Sequence, residues 1–249
     1  MADHFPLRLV SSRMLAPSVR HLEFARDDGQ ALDFIAGQFI QVHFNYPDGT
    51  ATKRSYSLAT QHDHRFGVND TVEIAVSYVP GGAATALFTA LDEGQQIQCS
   101  GPYGRFCLNE KDQNTRYILI GTGTGVTPYR AMLPQLKQLM DERNVEVVLL
   151  FGTRTEEDLL YGEDFYKFAE DNHNFTFMPC FSRDLPVNAT ADSRQGYVQN
   201  QLGVLNPNGA HDIAYLCGNP NMVDASFEAL KEFGLSVHHI RREKYVSSK

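Results

Sequence analysis

The feature that most limits what this chain can fold into is the alternation of its second half. "RYILIGTG", "VEVVLLFG", "FTFMPCFSR", "DIAYLCGN" and "VHHIRREKYV" are short apolar runs of strand length. Between them lie "TPYRAMLPQLKQLMDE", "EEDLLYGEDFYKFAED", "GYVQNQLGVL" and "NMVDASFEALKEFG", which carry helical spacing. Strands alternating with helices build right-handed crossovers, and so a parallel sheet with helices on its faces. The pattern predicts an α/β domain with a five-stranded parallel sheet. Such sheets bind ligands beyond the carboxyl ends of their strands. The residues to read are therefore "GTGTG", "GTRTEEDLLY", "SRD" and "CGNPNM".

The first ~110 residues have another rhythm, that of short strands rich in β-branched and aromatic residues. "PLRLVSSRML", "VRHLEFAR", "QFIQVHFNY", "KRSYSLAT", "TVEIAVSYV" and "QQIQCSGPYGRF" are the candidates, separated by turns such as "DDGQ", "PDGT" and "DEGQ". One helical stretch, "AATALFTAL", interrupts them. This predicts a small antiparallel barrel, closed or nearly so. The polar stretch "NEKDQNT" marks the change of rhythm, giving two domains, 1–112 and 113–249.

The bulk numbers exclude several classes. With 42% hydrophobic and 21% charged residues the chain reads as soluble and globular, and no run is long enough to span a membrane. A net charge of −8 argues against general nucleic-acid binding. The start "MADHFPLRLV" lacks the features of a secretory signal, so a cytoplasmic protein is expected. Cys99, Cys107, Cys180 and Cys217 are scattered, matching neither a zinc site nor an iron–sulfur pattern. No metal is expected, and nothing in the sequence demands more than a monomer.

"LIGTGTGVTPYRAML" is strand, glycine turn and helix. Gly121, Gly123 and Gly125 would let the backbone turn tightly and approach a pyrophosphate, while the helix start offers free N–H groups. A plain tight turn remains the alternative. Roughly 20 residues on from the glycines an NAD site would offer an acid to the ribose 2′-hydroxyl; at that place "LLFGTRTEED" supplies Arg154. "FSRD" adds Ser182 and Arg183 after the third strand, a hydroxyl beside a guanidinium. Either arginine alone reads as a solvated loop charge. Two at successive strand ends favour NADP(H) over NAD(H). In "CGNPNM", Asn219 and Pro220 fit a helix cap and first turn. Cys217 and Gly218 leave either close packing or room for a flat ring.

In the barrel half, Arg54 and Tyr56 of "KRSYSLAT" share a face if extended, with Ser57 beside them. A guanidinium can hold a phosphate while a ring covers a flat cofactor. "VPGGAATALF" leads two glycines into a helix start, with Thr85 carrying a hydroxyl. Two nucleotide-like cofactors are the economical reading.

Taken together these residues resemble the ferredoxin–NADP⁺ reductase family over nearly the whole chain. "RSYS" resembles its flavin motif, "PGGAAT" its pyrophosphate loop and "GPYGRF" its G-P-x-G turn. "GTGTGVTP", "GTRTEEDLLY", "SRD" and "CGNPNM" resemble its NADP motifs in order. The resemblance implies FAD in the barrel half. Arg54 would bind the pyrophosphate, with Ser55 in the same motif; Tyr56 would stack on the isoalloxazine, and Ser57 would bond near N5. Val76 and Tyr78 would line the flavin, and Gly82, Ala83, Ala84 and Thr85 would hold phosphates. Thr124, Thr153, Arg154, Ser182 and Arg183 would bind NADP(H), and Cys217 and Gly218 would border the nicotinamide. The family's terminal acid, spacer and aromatic become Glu243, Lys244 and Tyr245, followed here by an extension, Val246 to Lys249.

The implied activity is exchange of a hydride with NADP(H) and of single electrons with ferredoxin or flavodoxin, a separate chain. Ser57, Cys217 and Glu243 are the implied catalytic residues, Ser57 and Glu243 forming a proton route. Tyr245 would cover the flavin until nicotinamide displaces it. Lys53, Arg105, Arg241, Arg242 and Lys244 are candidates for a basic rim toward the carrier. Two rivals remain: an NAD(P)H-dependent free-flavin reductase, against which "PGGAAT" argues, and an electron-transfer subunit of an oxygenase system.

Overall fold

A computed structural model of the chain describes residues 3–62, 71–109 and 111–246. It divides into two units. Of the described residues, one comprises those up to Leu108 with Thr127–Pro134; the other comprises Asn109–Val126 with Gln135–Val246.

The first unit is built from β1 (Asp3–Ala16), β2 (Val19–Arg26), β3 (Phe39–Asn45), β4 (Ala51–Ser57), β5 (Thr71–Ser77), α1 (Ala83–Thr89) and β6 (Gln96–Tyr103). The strands form one antiparallel six-stranded sheet in the order β4-β3-β6-β1-β2-β5. The alternation seen in the sequence sends Leu22 and Phe24 of β2, and Ile40 and Val42 of β3, into one core with Phe5, Leu7 and Phe88. Each fully buried side chain of this kind contributes about 1.5–3 kcal/mol. The edge strands β4 and β5 meet where an antiparallel bridge, Leu58 to Ile74, curls the sheet toward a barrel. The Ala59 N–H donates to the Glu73 carbonyl at 2.7 Å beside it.

The second unit holds β7 (Arg116–Thr122), α2 (Thr127–Arg143), β8 (Glu146–Thr153), α3 (Gly162–Asp171), β9 (Phe175–Phe181), β10 (Arg194–Gln195), α4 (Leu202–Leu205), β11 (Asp212–Gly218), α5 (Pro220–Glu232) and β12 (Ile240–Lys244). The first eight residues of α2 group with the barrel. The parallel sheet runs β10-β9-β8-β7-β11-β12. Successive side chains point to opposite faces, so Ile118 and Ile120 of β7 join Leu216 in the cluster that includes Val223, Phe227 and Leu230 of α5. On α3, Phe165 meets Phe177 of β9 with ring centroids 5.3 Å apart. Chain order reverses between β7 and β11, which puts the turns after both strands at the switch point.

The sixth strand, β10, is a two-residue addition to the five expected. It carries no apolar run of its own and forms by pairing Arg194 with Cys180 and Gln195 with Phe181. The expected helix over 156–171 is broken: a 3₁₀ turn, Glu156–Asp158, precedes α3, and Tyr161 between them takes a left-handed φ of 55°. "GYVQNQLGVL" is a 3₁₀ turn, Val198–Gln201, followed by the four-residue α4. Among the described residues no helix is long and apolar enough to cross a membrane.

Candidate functional site

The barrel unit gathers its candidates on β4, β5 and α1. Alternation puts Arg54 and Tyr56 on the inward-facing side of β4, opposite Val42 and Ile40, and sends Ser55 to the exposed side. The Arg54 guanidinium is held open-handed. Nη1 donates to Thr52 Oγ1 and to the Lys53 carbonyl, each at 2.9 Å, and Nη2 donates to the Tyr46 hydroxyl at 2.8 Å. All three partners are neutral, so the charge is oriented but not neutralised. Hydrogen bonds from Thr52 and then Arg54 lower the Tyr46 phenol's pKa.

Tyr56 packs edge-on against Phe88 of α1, centroids 5.3 Å apart, and burial pushes its phenol up to about 12. It is therefore a neutral, fixed aromatic plate at working pH. Ser57 is buried at the end of β4, and Val76 is 1% exposed, so its side chain belongs to the core. Tyr78 is half-buried against that core.

Gly82 caps α1 with extended backbone, and the first intrahelical bond runs from the Ala86 N–H to the Gly82 carbonyl. The amides of Ala83, Ala84 and Thr85 precede it and have no intrahelical acceptor. The Thr85 hydroxyl is engaged: it accepts from the Val79 N–H at 2.8 Å and donates to the Val79 carbonyl at 3.0 Å. It shapes the loop, leaving backbone donors for an anion. An oriented cation, a flat ring and free amides fit a flavin dinucleotide.

In the sheet unit the glycine turn has two jobs. Gly123 has φ +54° and open space around it, as an approach to phosphate requires. Gly125 instead lets two turns touch, because a Cβ there would lie 2.4 Å from the Cys217 carbonyl oxygen. Gly218, at φ +125°, is its counterpart: a Cβ would lie 2.6 Å from the Thr122 carbonyl oxygen. Thr122 Oγ1 accepts from the Asn219 N–H at 3.1 Å across the same contact. Thr124 is half-buried in the turn. Asn219 caps α5 as the sequence predicts, accepting from the Asn221 and Met222 amides.

Parallel pairing sets Cys217 beside Glu243, and the Tyr245 N–H donates to the Gly218 carbonyl at 2.8 Å. Burial drives the Cys217 thiol well above its ordinary pKa, the Glu243 carboxylate adds to this, and a hydrogen bond with the Tyr245 side chain opposes it. Cys217 is thus a neutral, soft wall and not a nucleophile. The tail strand brings Cys217, Gly218, Glu243 and Tyr245 together. Val246 is exposed, and Ser247 to Lys249 lie outside the described residues.

At the next two strand ends, the Ser182 N–H donates to the Thr153 carbonyl and the Arg183 N–H to the Arg154 carbonyl. The two loops therefore run side by side. Thr153 is buried and its hydroxyl donates to the Thr155 carbonyl at 3.1 Å. Arg154 is clasped by Asp158, at 3.0 and 3.3 Å. Arg183 is exposed, with no side-chain partner among the described residues. Of the proposed basic rim, Arg242 lies 3.8 Å over the Phe227 ring and Lys244 pairs with Asp224. Lys53, Arg105 and Arg241 are exposed.

One residue escaped the motif reading. Tyr197 is 61% exposed and follows Gly196, whose N–H donates to the Phe181 carbonyl beside Ser182. An exposed aromatic there can stack on a base. The signal was "GYVQ", an aromatic after glycine inside a segment read as helix.

Two family models match: an oxidoreductase FAD-binding domain over residues 6–107 and an oxidoreductase NAD-binding domain over 119–227. The chain is 32% identical to "Ferredoxin--NADP reductase B" of Sorangium cellulosum, covering 98% of each. It is 29% identical to the reductase component of propane 2-monooxygenase from Rhodococcus jostii, covering 96% of this chain but 63% of that one. A solved cytochrome P450 reductase from Amycolatopsis superposes with a TM-score of 0.83 at 29% identity, over 98% of this chain and 70% of that one.

Proposed function

Because the chain belongs to the ferredoxin–NADP reductase family of FAD- and nicotinamide-dependent oxidoreductases, we propose that it exchanges electrons between NADP(H) and a one-electron carrier protein, ferredoxin or flavodoxin. The carrying observation is the unpartnered Arg183 beside Ser182, next to the loop of Arg154. A free guanidinium next to a hydroxyl suits a 2′-phosphate. Residues 1–112 hold FAD in this reading and 113–249 the nicotinamide nucleotide.

FAD, when bound, supplies the conversion between hydride transfer and single-electron transfer. The residues bind and orient. Arg54 and the α1 amides take the pyrophosphate, and Tyr56 fixes the plane of the flavin ring. Ser57 holds a proton at Oγ, and Glu243 can carry one on its carboxylate. Gly218 and the neutral Cys217 thiol leave a flat, uncharged wall for the nicotinamide. Tyr245 hydrogen-bonds at that same wall, so it must yield before a nicotinamide can lie there.

One observation favours a second reading, NADH as the donor. Asp158 pairs with Arg154 and is itself an acid near the end of the second strand, able to accept from a ribose 2′-hydroxyl. The purified protein is expected to be yellow, to bleach faster with NADPH than with NADH, and to pass electrons to a flavodoxin or ferredoxin. A colourless protein, or none of these reductions, overturns the assignment; faster bleaching by NADH selects the second reading. Reduction of free flavin alone would select a flavin reductase, and reduction of an oxygenase alone an oxygenase subunit.

A further inference from the structure

We propose that Arg130, which no cofactor motif claims, positions Ser57 by pinning the seam at which the barrel curls closed. This rests on the reading that Ser57 faces bound flavin. Among the described residues the edge strands meet through the bridge Leu58 to Ile74, the Ala59 N–H donating to the Glu73 carbonyl, and the Glu73 N–H donating to Thr60 Oγ1 at 2.8 Å. Ser57 is the last residue of β4 before this crossing, and Glu73 lies on β5 with Val76.

Arg130, from the first turn of α2, adds a clamp that touches both sides. Its Nη1 donates to the Ala59 carbonyl at 2.7 Å and to Glu73 Oε2 at 2.5 Å. One terminal nitrogen has two hydrogens, and this geometry uses one on each edge. The side chains of Arg130 and Glu73 are only 13% and 17% exposed, and His21 Nε2 lies 3.5 Å from the same carboxylate oxygen. Deleting the guanidinium leaves the Ala59 carbonyl without this donor and the largely buried Glu73 carboxylate with only the longer His21 contact, which weakens the hold between the two edges. The Ser57 hydroxyl then loses its fixed position, and misplacement by a fraction of an ångström is enough to slow a transfer that depends on alignment.

The test uses full-length Arg130→Gln and Arg130→Lys, the latter keeping charge and donors on one nitrogen. Hydrogen exchange is read for segments 57–60 and 71–76 without FAD. The limiting rate of flavin reduction and the nucleotide affinity are read separately in FAD-loaded protein. In Arg130→Gln, exchange at the seam should rise about tenfold and the limiting rate fall about tenfold, with affinity unchanged and Lys restoring most of both. Exchange that rises evenly across the barrel, or a loaded variant with the parent's limiting rate, overturns the proposal. If the Gln variant does not fold, Glu73→Gln takes its place with the same readouts. A parent protein that neither nucleotide reduces defeats the proposed function, while exchange at the seam still decides the pin.

Discussion

Replacing Gly125 with alanine tests what the glycine turn is for. In a phosphate-approach reading this is a mild change in a ligand loop. The structure predicts an overpacked core contact. The added Cβ would sit 2.4 Å from the Cys217 oxygen, 2.6 Å from the Cys217 carbonyl carbon and 2.5 Å from the Gly218 Cα, all backbone. Reaching the 3.4 Å of ordinary contact moves the end of β11 away from the turn by about 1 Å. Overpacking of this kind costs about 1–3 kcal/mol. The Thr122 to Asn219 hydrogen bond crosses the same gap, and its loss adds about 1 kcal/mol. A total of about 3 kcal/mol lowers the melting temperature by roughly 6–12 °C for a chain of this size.

The control is Gly123→Ala. There the Cβ meets nothing within 4 Å, and only the φ of +54° is strained. That costs about 1 kcal/mol and roughly 2–4 °C. Calorimetry on both variants, with nucleotide affinity measured beside it, separates the two jobs. Gly125→Ala should lose stability before affinity, and Gly123→Ala the reverse. A Gly125→Ala protein melting within about 2 °C of the parent would refute the close-contact argument, as would equal destabilisation by the two.

Tyr197→Ala should weaken nucleotide binding by about tenfold without changing thermal stability, since the ring is mostly exposed; isothermal titration reads this directly. Asp158→Asn should release Arg154 and raise the NADPH-to-NADH ratio of kcat/KM by about fivefold, and an unchanged ratio would count against a 2′-phosphate at Arg154. Tyr56 supplies a pH signature. Its folded pKa of about 12 lies above the ordinary 10.0, so its contribution to stability is whole below pH 10.0 and is lost as pH rises toward about 12. Urea unfolding of the FAD-free protein should show that alkaline loss, to which the buried Tyr117, Cys99 and Cys180 also contribute, and Tyr56→Phe should make it smaller.

The sheet and barrel were legible because both are written in periodicity. Leu22, Phe24, Ile40 and Val42 announce a period of two, and the runs at 116–122 and 146–153 announce buried strands. What was not legible depends on pairing. β10 exists only because Cys180 and Phe181 offer it a partner edge. The break before α3 rests on Tyr161 turning left-handed ahead of Gly162, where a Cβ would lie 2.9 Å from a Leu159 side-chain carbon. Neither fact has a local periodic signal.

The site shows the same division at the level of chemistry. A motif identifies residue types, and function depends on whether their polar atoms are free. Thr85 matches a phosphate loop, yet its hydroxyl is spent on both polar groups of Val79. Arg154 and Arg183 look equivalent at successive strand ends, yet Asp158, four residues along, clasps the first. With the Arg154 side chain 63% exposed, that pair is weak and screened by solvent, so a 2′-phosphate can compete for it. In the proposed reading, selectivity rests on a competition between one carboxylate and one phosphate for Arg154, with Arg183 available to the phosphate alone. Salt should then narrow a preference for NADPH, because it screens the exposed Arg183 contact which that reading gives to NADPH alone.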